Sequence, residues 1–164
     1  MQTPHPQFPH MFHPLTIKNV TFRNRIAISA HFAGWWVTDG LPNEDFAAYI
    51  EERAKGGIGL FVIGATGPTY DAGPDWMHNT SDAIIPRYRM LVDAGHRYGA
   101  KVFAQLIHTR DSIPTPKSDR IRVGMEAQIL PHSRHRPHRP DRSTEELREL
   151  SCKFGEAAAR AKEG

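Results

Sequence analysis

The chain reads as strand, helix, strand, helix, strand, helix, and this alternation limits its fold more than any other feature. "NRIAISA" holds a first apolar run at roughly Ile26 to Ala30, "IGLFVIGA" a second at Ile58 to Ala65, and "AKVFAQLI" a third. The second run is apolar throughout, as expected of a parallel strand covered on both faces. Asn43 is placed to cap a helix whose first turn carries Glu44 and Asp45, favourable against the helix dipole. Its inner face would use Phe46, Ile50 and Ala54, and Gly56-Gly57 would stop it. A second helix is expected near Pro86, with Tyr88, Leu91, Val92 and Gly95 inward and Gly99 at its end. Ser143 and Glu146 spell a capping box for a third helix. That helix carries Leu147, Leu150, Phe154, Ala157 and Ala161 at helical spacing and runs to the last residue, Gly164. Such alternation predicts a parallel sheet with right-handed crossovers.

Ahead of this pattern, "LTIKNVTF" (Leu15 to Phe22) reads as a small hairpin turning at Lys18-Asn19. Residues 1–14 read as an N-terminal extension, and residues 15–164 as one α/β unit with a long loop at about 109–142. A closed eight-stranded α/β barrel typically needs about 250 residues. With 164 residues, three β-α units make either a small open sheet or the front portion of a barrel. The N-terminal stretch "MQTPHPQFPHMFHP" has neither a basic leader nor an apolar signal core, and no apolar run is long enough to span a membrane. The single cysteine, Cys152, excludes an intrachain disulfide and a Cys-rich metal site. A reducing, cytoplasmic setting follows as the expectation. The net charge of +3 is too small to point to a polyanionic partner.

The third strand poses a chemical question. "KVFAQLIHTRDS" opens apolar, yet Gln105 interrupts it and His108, Thr109, Arg110 and Asp111 crowd its end. A buried amide is costly unless paired, so Gln105 is either a core glutamine satisfied by backbone or a group reserved for a ligand.

Four segments, in order, decide the matter: "MFHPLTIKNVTFRNRIAISA", "AAYIEERAKGGIGLFVIGAT", "MLVDAGHRYGAKVFAQLIHTRD" and "STEELRELSCKFGEAAARAKEG". Together they resemble the opening of the old yellow enzyme family, the FMN-dependent NADH:flavin oxidoreductases. The resemblance covers nearly the whole chain from about Met11. It implies the hairpin and first three β-α units of a (β/α)8 barrel, with FMN lying across the C-terminal ends of the strands. It also implies NAD(P)H as reductant and a small electrophilic substrate, in ene-reductase, dienoyl-CoA reductase or amine dehydrogenase/demethylase chemistry. No nucleic acid or membrane partner is implied, and a homo-oligomer is compatible with it.

The same resemblance implies roles for individual residues. Gln105 matches the family glutamine that meets the pyrimidine edge of the flavin, where one carboxamide offers both a donor and an acceptor. Ser29, Ala30, His31 and Phe32 fall where the end of strand 1 touches the ring, mainly through backbone. The family commonly has Thr or Cys at the position of Phe32, and Phe32 cannot supply that hydroxyl or thiol. His31 could substitute through a ring nitrogen, or face solvent or substrate. Gly64 and Ala65 fall where a small residue lets the flat ring approach strand 2. His108 matches the histidine of the family's Q-L-x-H-x-G-R run, while Arg110 and Asp111 replace its Gly and Arg. His108 and Arg110 are therefore candidate substrate-pocket residues. The family's substrate-anchoring pair follows strand 4, which the resemblance puts beyond Gly164, so no catalytic residue is assigned within this chain.

"LPHSRHRPHRPDR" spaces His132, His135 and His138 by three, with arginines between. Without interleaved aromatics or a carboxylate to orient a ligand, it reads as a loop near the substrate, not as a metal or nucleic-acid site. The competing reading of the chain is a truncated, inactive piece. Three barrel strands leave two edges open, and one wall of a flavin site should bind FMN weakly or not at all.

Overall fold

The computed structural model describes residues 7–31, 36–69, 76–108 and 143–164. A short helix, α1 (Pro9–Phe12), precedes the expected hairpin of β1 (Leu15–Ile17) and β2 (Val20–Phe22), which pair antiparallel. Lys18 takes a left-handed conformation at the turn (φ 52°). The sheet follows in the order the sequence predicts. β3 (Ala27–His31) and β8 (Lys101–Leu106) flank β6 (Leu60–Gly67), all parallel. Helices α2 (Glu44–Lys55) and α3 (Ile84–His96) cover one face of it, and α4 (Thr144–Glu163) packs beside α3. This curled α/β sheet is the opening portion of a barrel.

The helices begin and end as their residues dictate. Asn43 Oδ1 accepts from the Phe46 amide (3.3 Å), and Gly57 (φ 95°) turns the chain out of α2. Ser143 and Glu146 exchange both capping-box bonds, 3.2 and 2.6 Å. Phe46, Ile50 and Ala54 of α2 are fully buried against Phe61 and Ile63 of β6, with Ile84, Tyr88 and Leu91 of α3 beside them. Each large apolar side chain so buried stabilises the fold by about 1.5–3 kcal/mol. Below the sheet, buried Asn24 ties the exit of the hairpin to the α2–β6 turn: its amide donates to Gly57 O (2.7 Å) and its Oδ1 accepts from the Ile26 amide (3.1 Å).

Several details differ from the sequence expectation. The first strand starts and ends one residue later than expected, and the second two residues later. The stretch after Phe32 contains a two-residue ladder, β4 (Val37–Thr38) with β5 (Leu41–Pro42), and Trp36 is buried in the core. The stretch after Thr69 contains β7 (Met77–His78), which pairs with Thr66 and Gly67. Thr66 faces β8 on one side and β7 on the other, so β7 takes over the edge of β6 where β3 leaves it. Val92 is only half-buried, and Ala94 is inward instead. On α4 only Ala157 is fully buried, while Leu147 is 52% exposed. The N-terminal half of that helix is mostly exposed, with Leu150 half-buried. The helix itself stops at Glu163, one residue short of the expected end, and Gly164 stands outside it as the cap.

The C-terminal half of α4 is held by polar contacts. Asn79, fully buried, donates to Ala157 O (2.7 Å), and Arg160 bonds Asp82 (2.9 Å). The Gly164 amide donates to Arg160 O (3.0 Å), and the glycine lies so close to Tyr88 and the Ile85 carbonyl of α3 that a Cβ there would collide with both. Tyr88 also lies against the polar cluster, its hydroxyl 3.4 Å from the Asn79 amide. Burial pushes the Tyr88 phenol up to about 12. Among the described residues, no helix is long and apolar enough to cross a membrane.

Candidate functional site

The sheet has a covered face and an open one. Ile28, Phe61, Ile63, Val102 and Ala104 point to the helices. Alternation sends Ala27, Ser29, Phe103 and Gln105 to the other side, where all four are exposed. Phe103 leans on Phe22 of the hairpin, ring centroids 5.8 Å apart, so the hairpin closes the bottom of this open face.

At the C-terminal end of the sheet the register slips twice. Between β3 and β6, Ile28 pairs with Phe61 and His31 with Ile63, so Ser29 and Ala30 together oppose Val62. Between β6 and β8, Ile63 pairs with Ala104 and Thr66 with Leu106, so Gly64 and Ala65 together oppose Gln105. Two bulges thus stand on neighbouring strands at adjacent levels. Bulges bend a strand and re-aim its groups, and they concentrate near active sites. Ser29, Ala30, Gly64, Ala65 and Gln105, singled out in the sequence, all lie at these two bulges or opposite one. Among the described residues the Gln105 amide has no hydrogen-bond partner.

The His31 ring is half-buried, with its Nδ1 side towards the exposed Ser29. It packs among Trp36, Tyr49 and Phe61, with centroids 5.3, 5.4 and 5.8 Å away. Nδ1 is 3.1 Å from Ser29 O and Nε2 is 2.8 Å from the Tyr49 hydroxyl. Both ring nitrogens are therefore engaged, and only the His31 backbone remains to meet a ligand at the strand tip. Gly64 also has a reason the sequence did not suggest: a Cβ there would collide with the His31 carbonyl before it met any ligand.

His108 sits just beyond β8, half-buried, with Nδ1 3.3 Å from Thr69 Oγ1. Thr69 O lies 3.3 Å from His78 Nδ1, so Thr69, just past β6, contacts a histidine from each side. The Ile107 amide donates to Thr66 O (3.0 Å) and keeps this end of the chain against the sheet. Phe32, Arg110 and the histidine-arginine segment from 132 to 142 lie outside the described residues. Gly164, beyond which the resemblance puts the substrate-anchoring pair, lies against α3 among the helices and takes no part in the shelf of strand tips. Tyr49, Trp36 and Thr69 were missed in the sequence. The Tyr49 position, nearly two turns after the Asn43 cap on a helix facing strand 1, was the available signal.

Two register slips at neighbouring strand tips, beside an exposed carboxamide, mark this end of an α/β barrel-type sheet as the candidate site. Comparison with known proteins takes this further: residues 10–164 match the NADH:flavin oxidoreductase / NADH oxidase family, and the chain belongs to it. An N,N-dimethylglycine/sarcosine dehydrogenase of Chromohalobacter salexigens is 36% identical over 105 residues, 62% of this chain and 15% of that one. A probable N-methylproline demethylase of Rhizobium meliloti is 30% identical over 161 residues, 94% of this chain and 23% of that one. The old yellow enzyme homologue of Zymomonas mobilis shares the fold with a TM-score of 0.70 at 24% identity, covering 94% of this chain and 46% of that one. The chain thus spans less than half the length of each of these relatives.

Proposed function

We propose that this chain forms the first wall of an FMN site in an oxidoreductase that passes hydride between NAD(P)H, flavin and a small electrophilic substrate. The observation that carries the reading is the exposed Gln105 amide opposite the Gly64–Ala65 bulge, next to the Ser29–Ala30 bulge. FMN, when bound, supplies two-electron redox chemistry. The chain's own groups bind and orient it. Gln105 donates and accepts along the pyrimidine edge, and the backbone of Ser29, Ala30 and His31 lines the ring beside it. Gly64 and Ala65 lie beneath its face, and Phe32 contributes no donor there. His108 and Arg110 line the substrate side. The relatives' names favour the amine branch of this chemistry, in which an N-methyl or other amine substrate gives its electrons to the flavin. The same reading places the protein in the cytoplasm, with access to nicotinamide reductant.

A second reading is supported by the open sheet. Among the described residues, β3 and β8 each pair on one side only, so the chain by itself holds one wall of the site and has no turnover.

Anisotropy of FMN fluorescence tests both readings on the 164-residue chain. Shallow binding with a dissociation constant above about 0.1 mM is expected, weaker than about −5.5 kcal/mol. Gln105→Leu should abolish it with unchanged circular dichroism. An isotherm identical in the variant would refute the placement of the ring on Gln105. Purification with stoichiometric yellow flavin would refute the second reading.

A further inference from the structure

The hydrogen bonds around His31 fix its protonation pattern. Ser29 O is a carbonyl and can only accept, so Nδ1 carries the proton across the 3.1 Å contact. A neutral imidazole then has only a lone pair at Nε2, and the Tyr49 hydroxyl, 2.8 Å away, must be the donor. For a neutral imidazole the two contacts together call for the Nδ1–H form, the less common tautomer of a free histidine side chain. Tyr49 is itself held. The Arg53 guanidinium lies 3.3 Å above its ring, and Arg53 donates to Tyr49 O at 3.4 Å.

This arrangement encloses the first bulge. The bond from His31 Nδ1 to Ser29 O spans Ala30, so the imidazole closes a small ring around the two bulged residues. With the ring lodged between Trp36, Tyr49 and Phe61, the His31 carbonyl is pressed against Gly64 of the neighbouring strand. We propose that Tyr49 is a positioning residue: by donating to His31 Nε2 it fixes the imidazole, and through it the β3 bulge that presents the Ala30 and His31 backbone to the flavin. This rests on the flavin reading above and adds a residue on the far side of the sheet that never touches the cofactor.

The test combines two readouts on the full chain. Nitrogen-15 NMR of the His31 imidazole reports which nitrogen is protonated, and FMN anisotropy reports affinity. The expected results are an Nδ1–H imidazole in the wild type, and in Tyr49→Phe a loss of that preference with FMN affinity weakened roughly tenfold, as for one lost hydrogen bond. Tyr49→Phe keeps the aromatic packing and the Arg53 contact, so melting should change little. His31→Gln, whose carboxamide offers one donor and one acceptor, should keep affinity within about twofold while His31→Leu loses it. An Nε2–H imidazole in a chain that does bind FMN, or Tyr49→Phe with wild-type affinity, overturns this proposal alone. An Nδ1–H imidazole in a chain with no FMN response overturns the positioning role and leaves the tautomer assignment standing.

Discussion

The His31 carbonyl of β3 occupies the space where a side chain at Gly64 of β6 would begin, and the His31 carbonyl carbon and amide nitrogen lie only 2.5 and 2.6 Å from that point. Two adjacent parallel strands approach so closely here because β3 carries an extra residue just before the contact. The glycine is required by the neighbouring strand, independently of any ligand.

Gly64→Ala therefore has no flexible neighbour to push aside. Overpacking of this kind costs about 1–3 kcal/mol, and with backbone on the other side the upper part of that range is expected. Thermal or urea denaturation of the purified variant measures it. Wild-type stability would mean that the β3 tip does not lie against Gly64.

Asn79 is the anchor of α4. Its buried amide donates to Ala157 O across 78 residues of sequence. Asn79→Ala removes this buried side-chain bond while the helix keeps its own donor to Ala157 O, a loss of about 0.5–1.5 kcal/mol. Hydrogen exchange should rise first in the second half of α4, around Ala157, while amides of β6 stay protected. Uniform loss of protection across the chain would contradict the local role.

Tyr88 predicts an alkaline limit to stability. Its folded value of about 12 lies above the ordinary 10.0 of a phenol because burial disfavours the phenolate. The native state thus holds this proton more tightly than the unfolded chain. The contribution is complete below pH 10 and is lost as pH climbs through about 12, amounting to about 2–3 kcal/mol. Denaturant titrations from pH 9 to 12 should show wild-type stability falling relative to Tyr88→Phe by that amount. A constant difference between the two proteins over this range would rule out a buried phenol at position 88.

The helices, the hairpin and the order of the parallel strands were legible because each is specified locally. Asn43, Ser143 and Glu146 are caps, Phe46, Ile50 and Ala54 form a face, and Gly57 and Gly99 are stops. The bulges were not legible. A register slip is a property of two strands together, and nothing in "AISAH" alone says that Ser29 and Ala30 share one partner. The family resemblance was enough to choose Ser29, Ala30, Gly64, Ala65 and Gln105 as candidates, but not to reveal the two register slips at which they lie. The surroundings of the His31 ring were not legible for the same reason: its partners Tyr49 and Phe61 come from a separate helix and strand. Leu147 and Phe154 follow a helical apolar pattern, yet periodicity states only that a face exists, not which described residues cover it. The short β7 was hidden in a polar stretch, since two residues pairing with Thr66 and Gly67 leave no alternation to detect.

The proposed site puts FMN across the tips of β3, β6 and β8. The most direct measurement is a two-dimensional 1H–15N NMR titration of the isotopically labelled chain with FMN, which detects binding too weak for purification. The account predicts that the Gln105 side-chain amide and the backbone amides of Ala30, His31, Gly64 and Ala65 shift together along one binding curve. Shifts confined to other parts of the chain, or a Gln105 side chain that stays still while the rest respond, would contradict it.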